Sequence, residues 1–433
     1  MQLKVKKVSG TLALATCSLL QSVSALQASE SIDDGWNIHT TSLLYSEKGR
    51  VNIAEAIVDA EKEIDDDEFI SYRLTADTLS GASPNGAIPT SEVQTFTSPS
   101  GSSSYTTQEN TTPLDTTFSD TRFSASASWD IPLSQYLRGV FSGSLSSELD
   151  YTSLGTSASL ARDFNQRNTT LSFGVALGID LINPSCGTPI ALSPMPAPVI
   201  PVGEDDEGCT IGTGLHGKKD ISEFLLGLTQ VINRRTLMKF NYSIGQTSGY
   251  MNDPYKLVSV IDGITGELRP IDPYIFESRP DSRKSESLYW RTKHQLGEDV
   301  IDLSYRYFWD DWDIRSHTVD LTYRFEFDSG NYLQPHLRYY QQSAASFYSP
   351  YAVNGQISDT ISADYRLADM TSTTIGIKYG VLLSKDKEIT VAVEQMNQTG
   401  IDYPVDAIGV TFQQDLFPDL TATMLRVNFN FIF

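Results

Sequence analysis

The sequence predicts an all-β chain: a transmembrane antiparallel up-and-down β-barrel of about 16 strands, within about 14–18, carrying long extracellular loops. Three observations predict it: the closing segment, a recurring two-residue alternation, and the order in which long and short connections follow one another. In the closing segment, Leu425, Val427, Phe429, Phe431 and Phe433 share one strand face, while Arg426, Asn428 and Asn430 share the other. An uncovered strand that rich in Phe aggregates in water. It is stable as the lipid-facing last strand of a barrel. There Phe429, Phe431 and Phe433 would form the assembly signal presented to the barrel-insertion machinery.

The alternation recurs along the chain. Leu171, Phe173, Val175, Leu177, Ile179 and Leu181 oppose Thr170, Ser172, Gly174, Ala176, Gly178 and Asp180. Val319, Leu321, Tyr323, Phe325 and Phe327 oppose Thr318, Asp320, Thr322, Arg324 and Glu326. Charges on the opposed face would cost several kcal/mol each in a dry sandwich core unless paired, and little in a wet lumen. Segments of about 10–14 residues exceed the ~5–6 usual in soluble sheets and suffice for the ~9–11 that cross a membrane.

Strands are expected to start near 36, 50, 67, 121, 136, 151, 168, 218, 234, 284, 300, 315, 331, 371, 387 and 420. The long connections, 79–120, 183–217, 249–283, 347–370 and 399–419, all follow odd-numbered strands, and short turns follow even ones. That parity fits a bacterial barrel with both termini periplasmic. Segments 359–367 and 406–414 are read as loop; as an extra strand pair they would raise the count by two.

Before the barrel, Lys4, Lys6 and Lys7, an apolar stretch and Val23-Ser24-Ala25 read as a signal peptide over 1–25, followed by a short periplasmic leader over 26–35. The barrel then spans 36–433. No apolar run reaches the ~18 residues of a membrane-spanning helix. A net charge of −22 argues against nucleic acid as a partner. The expected location is the outer membrane of a Gram-negative bacterium, with outer-membrane lipid and lipopolysaccharide as surroundings. Cys186 and Cys209 remain after processing and read as one disulfide. It would close a loop of about 23 residues and contribute about 3 kcal/mol by chain entropy.

No HExxH, GxSxG or cysteine–histidine cluster is present, so neither enzymatic activity nor a cofactor is expected. Trp309-Asp310-Asp311-Trp312-Asp313 reads as an interfacial aromatic girdle topped by a solvated acidic turn. The acidic runs Asp65-Asp66-Asp67-Glu68 and Glu204-Asp205-Asp206-Glu207 lack the spacing of a Ca²⁺ loop and read as solvated charge. The strand faces opposite the lipid carry a charge ladder: Lys239, Arg306, Arg324, Arg338 and Lys378 interleave with Asp180, Asp302, Asp320, Glu326 and Glu394. Such a ladder either sets ion preference across a pore or cross-bridges and fills the interior. Residues 79–120, rich in Ser, Thr, Gly and Pro and without periodicity, read as an exposed loop. Within it the segment Gly81, Ala82, Ser83, Pro84, Asn85, Gly86, at the outer end of the third strand, either folds inward as a constriction or simply turns.

The run Asp77-Thr78-Leu79-Ser80-Gly81-Ala82-Ser83-Pro84-Asn85-Gly86-Ala87 resembles a segment of the proteobacterial outer-membrane barrels grouped as the domain-of-unknown-function family DUF3570. Thr116 to Arg122, Leu337 to Tyr348 and Ser362 to Leu367 resemble it too, so the likeness covers nearly the whole mature chain. The cysteine loop is a departure. The resemblance implies an outer-membrane barrel and leaves its activity open. It also implies, as one alternative, service to a periplasmic redox or flavin-linked partner. Two functions follow as expectations. One is a porin-like channel or conduit for small solutes. The other is a filled structural or interaction barrel that sheaths or anchors a periplasmic protein partner.

Overall fold

Alternation of bulky apolar with small or polar residues gives long strands, and the computed structural model, which describes residues 35–97, 104–196 and 216–432, is built almost entirely of them. In chain order they are β1 (Asn37–Glu47), β2 (Asn52–Asp65), β3 (Glu68–Ser80), β4 (Gln94–Thr97), β5 (Ser104–Thr107), β6 (Ser119–Ser134) and β7 (Leu137–Ser147). There follow β8 (Tyr151–Phe164), β9 (Thr169–Ile182), β10 (Gly217–Asn233), β11 (Thr236–Gly249), β12 (Leu257–Ile261), β13 (Tyr274–Phe276) and β14 (Ser282–Leu296). The last are β15 (Asp299–Asp310), β16 (Arg315–Glu326), β17 (Tyr332–Gln342), β18 (Ala352–Val353), β19 (Met370–Ser384), β20 (Lys387–Gly400) and β21 (Leu420–Ile432).

Sixteen strands close into one barrel in the order β1-β2-β3-β6-β7-β8-β9-β10-β11-β14-β15-β16-β17-β19-β20-β21. The seal is antiparallel pairing of β21 with β1, from Asn37↔Ile432 to Glu47↔Ala422. Closure leaves no free barrel edge, which is what allows strands to stand in lipid. The alternation resolves as apolar-out. On β9, Leu171, Phe173, Leu177, Ile179 and Leu181 are exposed on the outer wall, while Thr170, Ser172, Ala176 and Asp180 are buried on the inner one. Segments 359–367 and 406–414 lie outside the barrel; they contain the short 3₁₀ turns Tyr365–Leu367 and Gly409–Gln413, and Ile361 and Ser362 make isolated bridges to Ser278 and Tyr348.

One end of the barrel has short turns such as 66–67, 234–235 and 385–386; the other carries the long segments 81–118, 183–216, 250–281, 343–369 and 401–419. Strand β17 stops at Gln342, so the fourth of these begins a few residues before the expected 347. Two expectations about this end are corrected. The first long loop is not a solvated excursion: Ala82, Asn85, Ala87, Ile88 and Phe96 are buried. Trp312 leaves the girdle and packs edge-on against Phe347 at 5.0 Å, 3% exposed. Asp310 is buried as well, held by Arg283 at 2.5 Å. A turn beneath neighbouring loops exchanges water for these partners.

The physical reason is that the long loops share a core. Strands β12, β13 and β18, from two different loops, form a sheet in the order β13-β12-β18, and β4 pairs with β5. Ala87 and Phe96 pack with Cys186, Leu257, Tyr274 and Phe276. Val258, Val260 and Ile275 pack with Ala352, Ile361 and Ala363. Ile88 and Ile261 pack with Leu416. These loops rise from strands on opposite sides of the ring, so a core common to them spans the mouth as a cap.

Candidate functional site: a capped, charged lumen

Small residues let the cap close. Gly81 sits at φ +80° and Gly86 at φ +95°, conformations that glycine adopts without strain. A Cβ on Gly86 would lie 2.5 Å from the Leu257 carbonyl oxygen and 3.3 Å from that of Ala363. Three loops therefore meet at this one residue. Asn85 Oδ1 accepts from the Ala87 N–H (2.8 Å), and the Asn85 carbonyl accepts from the Leu257 N–H (2.8 Å). The segment Gly81, Ala82, Ser83, Pro84, Asn85, Gly86 thus lies along the first residue of β12 within the cap. Cys186 is disulfide-bonded and belongs to the same core. Cys209, Phe433, the signal segment and the acidic run 204–207 lie outside the described residues.

Beneath that core is a buried ionic network that joins the loop 250–281 to the loop 343–369. Glu277 accepts from the Asp253 N–H (2.5 Å) and from Ser362 Oγ (2.5 Å), and pairs with Arg279 (2.7 Å). Arg279 also reaches Asp364 (3.0 Å), and Arg366 bridges Asp364 (2.5 Å) and Asp253 (2.7 Å). Lys256 donates to the Pro84 carbonyl (2.5 Å) and stands 4.0 Å from Asp364. Three acids thus face three bases, so the burial of each charge is offset by a partner. Burial alone would raise the Asp253 and Asp364 carboxyls, but Arg366, Lys256 and Arg279 outweigh it and hold both below the usual carboxylate range. Glu277 goes the other way: burial outweighs Arg279 and raises it. Burial also lowers Lys256, against the pull of Asp364.

The barrel interior below the cap is charged, and its ladder is tied laterally along the wall. Asp302 is held by Arg291 (2.5 Å) and Lys293 (3.5 Å). The Arg306 guanidinium lies 5.5 Å from the Phe308 ring centroid. Arg324 pairs with Glu326 and covers the Tyr332 ring at 3.6 Å, with Lys378 at 5.4 Å from the same ring. His336 is bracketed by Asp320 (3.0 Å) and Glu394 (2.9 Å), and Arg338 stands 4.0 Å from Asp320. Glu394 is two strands away, in the register His336↔Gly376↔Glu394. Gly376 makes the contact possible, because a Cβ there would come 2.6 Å from Glu394 Cγ. Sequence reading missed this bracket; a glycine at the matching inward position of the intervening strand was the available signal.

Lys239, Lys378 and Arg426 have no carboxylate within ion-pair distance among the described residues, and Asp180 is buried against the Tyr151 hydroxyl. Side chains of the ladder remain accessible: Arg338 is 51% exposed, Arg291 37% and Asp320 31%. Among the described residues nothing buries these side chains, so there the ladder borders solvent-accessible space.

The family model described as "Protein of unknown function (DUF3570)" matches residues 9–431. The chain belongs to this family. Among curated proteins none matches it. Among solved structures it is similar to a BenF-like porin from Pseudomonas fluorescens Pf-5, at 7% identity and TM-score 0.42, covering 93% of this chain and 100% of that one. It is also similar to Pseudomonas aeruginosa OccK2 (OpdF), at 9% identity and TM-score 0.40, covering 93% and 99%. A third is the CymD monoaromatic hydrocarbon channel, at 8% identity and TM-score 0.40, covering 93% and 89%. Likeness this distant transfers no solute and no mechanism to the DUF3570 chain.

Proposed function

We propose that this DUF3570 protein is an outer-membrane channel for small solutes, with permeation governed by the cap at its long-loop end. The observation that carries the reading is the accessible ladder: Arg338, Arg291 and Asp320 line space that a filled barrel would occupy. The apolar outer wall supports a lipid setting, with outer-membrane lipid and lipopolysaccharide around it. The asymmetry of short turns and long loops supports the orientation, cap outward. The closing strand, with Phe429 and Phe431 stacked at 5.1 Å, is proposed as the assembly signal, completed by Phe433.

The dry core of the cap favours a second reading, a permanently sealed barrel that anchors a periplasmic partner. Purified protein in planar bilayers separates the two. Discrete open steps support the channel. Silence at every voltage supports the sealed barrel and removes the channel.

A further inference from the structure

The closed barrel, cut at its seam, has inner walls of unlike composition. On β1–β3 and β6–β10 the inward positions carry Glu55, Asp59, Glu61, Asp77, Asp130, Asp163, Asp180 and Glu223, against the four bases Arg73, Arg122, Arg138 and Lys219. Between them, β6 to β9 turn in Ser126, Ser128, Ser144, Ser157 and Ser172, short hydroxyls that leave room. On β11, β14–β17 and β19–β21 the inward positions carry Lys239, Arg291, Arg306, Arg338, Lys378 and Arg426.

Pairing does not erase the difference. On the second half Asp302, Asp320, Glu326 and Glu394 sit in ion pairs and Glu388 accepts from the Asn430 amide (3.2 Å), while among the described residues Lys239, Lys378 and Arg426 have no carboxylate within ion-pair distance, so the surplus there is positive. On the first half Arg122 is shared by Asp77 (2.6 Å) and Glu55 (3.6 Å), and among the described residues Glu61 is met by the Ser71 hydroxyl (3.1 Å) and no base. The surplus there is negative. Opposite surpluses on facing walls create a field across the lumen rather than along it, and low-dielectric walls concentrate that field.

From this arrangement we infer that the lumen selects small zwitterions. A solute bearing a separated ammonium and carboxylate can turn its charges toward the acidic and basic walls together. A monovalent ion gains on one wall what it loses on the other, and an uncharged solute gains little. The inference rests on the channel reading above, whose selectivity it specifies.

Osmotic swelling of proteoliposomes containing the full-length mature barrel tests it, with glycine and its uncharged isomer glycolamide as equal-sized probes. Glycine is expected to enter roughly twofold to fivefold faster, the range of one solvent-exposed charge contact. In the double variant Lys378→Gln, Arg426→Gln the ratio of the two rates should fall toward one. A wild-type ratio of one, with both solutes entering, overturns the inference and leaves the channel standing. A raised ratio that survives the double variant also overturns it, since the surplus charges would not be its cause. No entry of either solute overturns the channel and the inference together.

Discussion

At the scale of single residues, the account depends on places where a side chain is missing or a charge is buried. Gly86→Ala would drive a methyl into the Leu257 carbonyl at 2.5 Å, at a φ of +95° that alanine resists. It should cost the cap more than about 1 kcal/mol. The expected result is faster tryptic cleavage within the loops, with unchanged heat-modifiable migration of the barrel on gels. Acid acts on the same assembly through Asp253 and Asp364, whose carboxyls Arg366, Lys256 and Arg279 hold low against the opposing effect of burial. A depressed carboxyl stabilises the folded form fully above its unfolded value of about 3.9, and that stability is lost as pH falls further toward the folded value. These two groups should therefore hold the cap from neutral pH to about 4 and release it progressively below. Tryptic or peptic nicking of the loops as a function of pH measures this, and nicking that is flat below that point would remove the two carboxylates as cap ties.

At the scale of elements, the strands were legible because a barrel strand shows its two environments in a period of two. The starts expected near 151, 168, 315, 387 and 420 meet β8, β9, β16, β20 and β21 within a residue. The cap was not legible. Its core strands, Leu257–Ile261 and Tyr274–Phe276, are too short to show a period, and their partners Ala352 and Ile361 lie in another loop. The network suffers the same limit: positions 253, 256, 277, 279, 364 and 366 read as scattered surface charge until two loops bring them together. Lateral ion pairs were half legible, since parity assigned Asp302 to the lumen but could not name Arg291, on the neighbouring strand, as its partner. Arg279→Gln tests the network as an element. It leaves Glu277 and Asp364, each 1% exposed, short of a partner, and should cost the cap about 3–5 kcal/mol. Hydrogen exchange should then rise across 250–281 and 343–369 while the barrel strands stay protected. A uniform rise over the strands would mean that the cap and barrel unfold as one unit.

At the scale of the whole molecule, closure, cap and lumen make separate demands. Closure rests on β21 against β1, and deleting Phe433 should lower the yield of heat-modifiable barrel in outer membranes before it alters any transport. Transport itself depends on whether the cap governs a usable path into the accessible lumen. The most direct test is single-channel recording of wild type and Arg279→Gln at one voltage and salt. The account predicts discrete open steps for wild type and a higher open probability for the variant. Silence from both proteins, with folded barrel confirmed in the same preparation, would contradict it.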